Sequence, residues 1–313
     1  MHLISIPENP VPHDVVTGML KTPDGVDLRF ARFAPPPGRR GTVCLLQGRA
    51  DFIEKYFETV ADLRSRGFAV ATFDWRGQGF SRRSVRDRSK GHVRRFAEYD
   101  TDLETFMREI VLPDCPPPFF ALGHAMGATV LIRAAHQGRR WFDRMVLASP
   151  MVGLERGRLL RLANPLVQIM AYAGLRSASI PNVESGPIAL QPFEGNPLTS
   201  DPERHSRTAA IVRAEPTLGI GAPTVGWARA ALRAIRDFSE PGYGALIRQP
   251  MMLLAAGHDE IVSTPAIESF AANLRAGSHL MVPGARHELL MEQDRFRAQF
   301  WAAFDAFVPG TEA

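Results

Sequence analysis

The sequence predicts an α/β protein with a mostly parallel central sheet, helices on both faces and a mainly helical insertion. Short, almost wholly apolar runs recur at 43–46, 69–73, 119–122, 145–148, 251–255 and 280–282. Continuous rather than alternating apolarity marks strands buried on both faces. Segments of helical period lie between these runs, which makes the core doubly wound. The alternation stops over 151–248, where proline recurs and helical patterns follow one another without convincing strands.

In chain order, residues 15–19 and 26–33, joined by TPDG, read as an antiparallel hairpin at the sheet edge. The segment APPPGRRG then leads into the first core strand. Tyr56, Val60 and Leu63 share a helix face, and Gly67 closes that helix. Leu103, Phe106, Met107 and Ile110 form a second stripe, stopped by Pro113. Helical patterns at 159–175 and 225–238 belong to the insertion, and Phe296, Phe300, Phe304 and Phe307 form a last stripe. These stripes are read as core packing. The chain thus divides into a core of 1–150 and 249–313 with a helical cap, 151–248, between the two parts.

A chain of 313 residues is long enough for one large domain carrying an insertion, which excludes a small disulfide-stapled fold. Cys44 and Cys115 stand alone in apolar or proline-rich contexts and make neither a disulfide framework nor a metal cluster. No metal and no cofactor is expected. The start, MHLISIPENPVPHD, has no basic and apolar leader pattern, and no apolar run reaches the ~18 residues of a membrane span. A cytoplasmic protein is therefore expected. The formal charge is +4, and the only lysines are Lys21, Lys55 and Lys90, so the positive charge is almost all arginine. The basic run at 81–95 lacks interleaved aromatics, which argues against nucleic acid as partner. Peripheral contact with an anionic membrane surface is the expected alternative.

The chemistry starts at FFALGHAMGATVLIRAA, where an apolar strand runs through Gly123-His124-Ala125-Met126-Gly127 into a helical pattern. That is the spacing of a nucleophile elbow, G-x-S-x-G, with alanine at its centre. The remaining members of a triad are expected in the order acid, then base, each beyond a strand end. Asp259 in GHDEIV and His287 in GARHELL occupy those places, with Glu260 the rival carboxylate and motif register favouring Asp259. His124 and His258 are read as structural neighbours. The glycine-rich DWRGQGFS, 74–81, is read as a structural loop in which Asp74 and Arg76 make hydrogen bonds, and neither Ser81 nor Ser149 sits on an elbow.

With these residues in place, the chain resembles α/β-hydrolase serine lipases of the monoacylglycerol lipase and lysophospholipase L2 group. The resemblance is carried by LLQGRADFIEKY, FDWRGQGFSRR, GHAMG, SPMVGL, FEGNPLTSD, IGAPTVGW, GHDEIV and GARHELLME, and spans nearly the whole chain from about residue 15. It implies the α/β-hydrolase fold and a nucleophile serine where this chain has Ala125. A methyl group cannot attack a carbonyl, so the chain as written is expected to be inert. Alanine gains nothing from a strained elbow, and Ala125 is therefore read as standing in for serine. The competing reading is a native pseudo-hydrolase that binds lipid without turnover.

The resemblance further places the oxyanion donors at the backbone N–H groups of Arg49 and Met126, although Gln47-Gly48 replaces the family's usual His-Gly. The Arg49 side chain, with Arg82 or Arg83, could pair with a substrate phosphate. Large apolar residues of the insertion, among them Leu159, Leu160, Leu162, Leu166, Ile169, Leu175 and Trp227, suit a cap over an acyl-chain pocket. The expected parent activity is ester hydrolysis of a single-chain lipid, a lysophospholipid first, with monoacylglycerol lipase or a broad esterase as alternatives.

Overall fold

A computed structural model describes residues 2–38, 40–157, 163, 165–181 and 186–309. Its centre is a sheet of eight strands in which β1 (Val15–Lys21) and β2 (Asp27–Phe33) form the expected hairpin. The other strands are β3 (Thr42–Leu46), β4 (Ala69–Phe73), β5 (Phe119–His124), β6 (Arg144–Ala148), β7 (Met251–Ala256) and β8 (Gly277–Val282). They lie in the order β1-β2-β4-β3-β5-β6-β7-β8. From β4 to β8 every pairing is parallel, and β2 joins β4 antiparallel.

The apolar runs of β3 to β7 are continuous because each of these strands feeds two cores. Cys44 and Leu46 of β3 pack on one face with Phe73, Trp75 and Leu131, whereas Val43 and Leu45 pack on the other with Phe68, Phe120 and Phe304. Only β8 escaped this signal over half its length. It begins at Gly277 rather than 280, and as an edge strand it leaves Leu280 and Met281 exposed along with Gly277 and Ser278, so the run 280–282 is not buried on both faces as the sequence suggests.

Helix α1 (Phe57–Ser65) buries Val60 and Leu63, as the stripe predicts. The helical stretch that opens with α2 (Ala97–Phe106) ends at Asp114, one residue past Pro113, as the proline predicts. It runs through a π turn, Met107–Val111, into a short turn, Leu112–Asp114. Helix α3 (Met126–His136) follows β5 directly.

Between β6 and β7 the described residues hold helices and no strand of the sheet: α4 (Pro165–Tyr172), α5 (Pro202–Ala214) and α6 (Val225–Phe238). Thr224 caps α6 by accepting from the Trp227 N–H, and Asp201 caps α5 by accepting from the Arg204 N–H. Leu159, Leu160 and Leu162 lie outside the described residues. Helices α7 (Thr264–Ala272) and α8 (Asp294–Phe307) complete the order, with Phe296, Phe300 and Phe304 buried. Among the described residues no helix is long and apolar enough to cross a membrane.

Strands β4 and β5 lie on opposite sides of β3, so the chain reverses its direction of travel across the sheet there. The loops leaving β3 and β5 therefore meet at the carboxyl edge of the sheet, at a topological switch point, where open α/β sheets bind their ligands. In this chain those loops carry Arg49 and Ala125.

Candidate active site

The β5–α3 turn has the geometry of the predicted elbow. Ala125 adopts φ 44° and ψ −107°, a conformation that side-chain-bearing residues rarely hold. Both flanking glycines are required by close approach. A Cβ on Gly127 would stand 2.3 Å from the Leu46 carbonyl oxygen, and one on Gly123 would stand 2.9 Å from the backbone of Ala128. The turn is fixed from outside by the Ala125 N–H donating to the Ala148 carbonyl at 3.0 Å. Met126 opens α3, so its N–H has no acceptor in the preceding helical turn.

Asp259 and His287 come together from the ends of β7 and β8. His287 Nδ1 lies 2.8 Å from Asp259 Oδ2, and both side chains are almost wholly buried. Asp259 Oδ1 accepts the N–H groups of Ile261 and Val262 at 2.8 and 2.9 Å. Burial alone would push the Asp259 carboxyl up, but the His287 charge, its hydrogen bond and the two backbone donors outweigh this and hold it below its ordinary value. An ionised Asp259 fixes the His287 tautomer with Nε2 free to accept a proton. The rival Glu260 is exposed and faces His258 at 3.6 Å, away from His287's partner.

Ala125, Met126, Arg49 and His287 all line one cavity of about 250 Å³. Its walls are largely apolar, with Met151, Leu154, Leu198, Trp227, Ile261 and Val262 among them. From the inter-strand helical segment the apolar lining includes Ile188, Ala189, Leu198, Ala222 and Trp227, and Asn196, Thr199, Arg204, His205 and Thr208 add polar groups to it. Most of the large residues expected from the sequence that fall among the described residues are elsewhere. Leu166, Ile169 and Leu175 are exposed, and Val167 packs with Ile180, Val225 and Ala228. The sequence reading found apolar residues at helical spacing but not which side of each helix turns inward.

The Arg49 guanidinium enters the cavity wall, donating to the Gly221 carbonyl at 2.6 Å and lying 5.2 Å over the Trp227 ring. Its Nε is buried without a hydrogen-bond partner among the described residues, and burial pushes its pKa down to about 10. The structure does not bring Arg82 and Arg83 to this site. Arg82 reaches the Gly25 carbonyl, and Arg83 the carbonyls of Arg88 and Thr217.

The loop after β3 is held by a buried network that the sequence reading missed. Asp51 Oδ2 accepts the Gly48 N–H at 3.0 Å and the Tyr56 hydroxyl at 2.8 Å. Lys55 Nζ bridges Asp51 at 2.6 Å and Glu288, the neighbour of His287, at 2.7 Å. Burial works against both charges, yet Lys55 holds the Asp51 carboxyl well below its usual range, and the two carboxylates raise the Lys55 ammonium. Gln78 also clamps this loop, accepting from the Ala50 N–H and donating to the Gly48 carbonyl. The available signal was Asp51 and Lys55, four residues apart and of opposite charge.

Two further readings change. His124 is more than a neighbour in sequence, since it lines the cavity with its ring centroid 5.0 Å from that of His287. Asp74 does not pair with Arg76. It pairs with Arg29 at 2.7 Å, and Arg76 pairs with Asp24 and Asp102. The loop is nevertheless structural, as expected, with the Ser81 hydroxyl donating to the Asp74 carbonyl.

Comparison with known proteins adds ancestry to this geometry. The family model described as Serine aminopeptidase, S33 matches residues 37–294. Lysophospholipase L2 of Escherichia coli (strain K12) is 31% identical over 288 residues, which cover 88% of this chain and 82% of that protein. Phospholipase YtpA of Bacillus subtilis (strain 168) is 25% identical over 261 residues, covering 81% and 90%. A soluble variant of monoglyceride lipase from Saccharomyces cerevisiae, solved with a substrate analog, superposes with a TM-score of 0.72 at 19% identity, over 95% of this chain and 96% of that one. With its elbow, acid and base in the order of an α/β-hydrolase, the chain belongs to the Serine aminopeptidase, S33 family (Hydrolase_4).

Proposed function

We propose that, with serine at position 125, this chain is a serine carboxylester hydrolase that cleaves the acyl ester of a single-chain lipid, a lysophospholipid first. The observation that carries the proposal is one cavity lined at once by the strained elbow residue and by a His287 already paired to Asp259. The hydroxyl of a serine at the elbow would attack the ester carbonyl as His287 Nε2 takes its proton. The N–H groups of Arg49 and Met126 would receive the oxyanion, and Asp259 would stabilise the imidazolium. His287 would then protonate the leaving glycerol oxygen, and an acyl-enzyme would remain. A water activated by His287 would release the fatty acid. With Ala125 the first bond cannot form, and the chain binds without turnover.

Residues 151–248 act in this reading as a cap whose inner wall, from Ile188 to Trp227, contacts the acyl chain. The relatives support the lipid class by name, since two are a lysophospholipase and a phospholipase. Arg49 supports the head group, because a buried guanidinium with an unpartnered Nε suits a phosphate oxygen. A cytoplasmic enzyme working at a membrane surface fits such a substrate.

The test is Ala125→Ser, followed by fatty-acid release from lysophosphatidylethanolamine, lysophosphatidylglycerol and monoacylglycerol. The restored protein is expected to exceed the alanine form by about 10⁶-fold in kcat. Absence of hydrolysis on all three would overturn the enzymatic reading in favour of a binder. Arg49→Met in the restored protein should raise KM for the two phosphorylated lipids and leave monoacylglycerol unchanged, since the oxyanion donor at this residue is backbone. A uniform change would remove the head-group role.

A further inference from the structure

Along the face of α6 that carries Gly226, Arg229, Arg233 and Asp237 lies a second concavity, of about 520 Å³, between α6, the 94–97 loop and α3. Six arginines line it: Arg94, Arg95, Arg133, Arg176, Arg229 and Arg233. Its one acidic lining residue, Asp237, lies 3.5 Å from Arg133, which is also paired with Asp100. Among the described residues no carboxylate forms an ion pair with any of the other five. One of them is held ready, since Arg229 Nη1 is buried without a hydrogen-bond partner among the described residues. Five guanidinium groups gathered around one hollow with no carboxylate paired to them among the described residues repel one another, and an anion in the hollow relieves that repulsion. Planar guanidinium forks match the oxygens of a phosphate better than those of any other common anion.

The rim of the cleft indicates where that phosphate comes from. Arg229 lies 4.4 Å over the ring of Tyr172, and Arg176 Nε donates to the Ala171 carbonyl, so the cleft adjoins the end of α4. That helix turns Ile169 and Tyr172 outward, 63% and 76% exposed, with Leu175 just beyond it. A cationic hollow beside an exposed apolar helix has the two-part chemistry of a lipid–water boundary, where apolar side chains enter the acyl region and cations meet head groups.

We propose that the arginine cleft binds the phosphate of an anionic phospholipid head group and so seats the protein on a lipid surface, separately from the catalytic cavity. Seated in this way, α6 would join the two sites. Phe96 in the cleft touches Trp227 in the cavity wall, with ring centroids 6.2 Å apart.

The proposal is tested on the full chain as it stands, with Ala125, so its outcome does not depend on hydrolysis. Co-sedimentation is compared on vesicles of phosphatidylcholine alone and of phosphatidylcholine with one part in three phosphatidylglycerol. Binding is expected only to the anionic vesicles, and it should weaken as salt is raised. Arg229→Gln with Arg233→Gln should weaken it by about fivefold per charge removed, and Arg94→Gln with Arg95→Gln, on an exposed loop, should do the same without risk to folding. Ile169→Ser should also weaken it. Unchanged binding by both arginine pairs would overturn the proposal. So would tight binding of soluble glycerol phosphate, or of a single-stranded oligonucleotide, by a chain that ignores both kinds of vesicle.

Discussion

Lys55→Met is the most informative perturbation of the framework around the site. Lys55 is 7% exposed and lies within 2.7 Å of the carboxylates of Asp51 and Glu288, themselves 3% and 8% exposed. Methionine keeps the apolar stem but leaves two buried carboxylates facing each other without a cation. Removing one partner from a buried pair costs about 3–5 kcal/mol. With an unfolding entropy of ~2.1 cal/mol/K per residue, that corresponds over this chain to a melting temperature lowered by about 5–8 °C. The pH dependence identifies the cause. In the parent, Asp51 titrates below its unfolded value, so its contribution is full above about pH 4 and is lost as pH falls through the folded value. Without Lys55, burial drives the Asp51 carboxyl up instead, and the variant gains stability as pH falls towards the unfolded carboxylate value. The gap between parent and variant should therefore narrow from neutrality to about pH 5, as read by urea unfolding followed by circular dichroism. A loss under about 1 kcal/mol, or one of the same size at both pH values, would show that Lys55 is not holding two ionised carboxylates.

Three further outcomes follow from the site. In an Ala125→Ser background, Asp259→Asn should lower kcat by about 10⁴ because His287 then takes the wrong tautomer, whereas Glu260→Gln should leave it within about twofold. The reverse pattern in fatty-acid release would move the acid to Glu260. Asp51→Asn should lower kcat with little change in KM, because Asp51 positions the Gly48 N–H and the loop that carries the Arg49 donor. An increase confined to KM would make Asp51 a binding residue. Trp227→Ala should cost about 3–5 kcal/mol in urea unfolding, since Trp227 is buried and its indole N–H reaches the Tyr99 hydroxyl at 3.2 Å. A cost near that of an exposed site would mean that α6 contributes little to the cavity wall.

What the sequence reveals is what short-range order encodes. The elbow was legible because two glycines, an apolar strand and a helix start lie within a few residues of one another. Asp259 and His287 were legible because each directly follows an apolar strand. The Asp51–Lys55–Glu288 bridge was not, because Lys55 and Glu288 are 233 positions apart and only the packing of two loops joins them. The same limit explains Arg82 and Arg83, which are close to Asp74 in sequence but turn to loop carbonyls once the backbone is folded. It also explains the cap. Helical spacing identifies apolar faces, but Ile169 faces outward and Ile188, outside any long helix, faces in. The six-arginine cleft combines a loop, a core helix and the inter-strand segment, so the basic run at 81–95 hinted at only one wall of it.

Ala125 raises a question that stability alone can answer. Backbone strain of this kind costs about 1–3 kcal/mol and is kept where catalysis requires it. Here it persists without a nucleophile, because Gly123, Gly127 and the Ala148 carbonyl dictate the turn whatever residue occupies it. Ala125→Gly removes the strain, while the freer unfolded chain takes back about 0.4–1 kcal/mol. The lost methyl takes back at most about 0.8 kcal/mol, and less where it faces the cavity. With each contribution at the middle of its range, the net expectation is a gain of about 1 kcal/mol. At Ala134, within α3, the same replacement should instead lose about 1 kcal/mol or more. Opposite signs at these two alanines would establish that the fold maintains a strained turn for a side chain that alanine does not supply. A loss at Ala125 as large as that at Ala134 would refute the strain, and with it the physical ground for reading alanine as the replacement for serine.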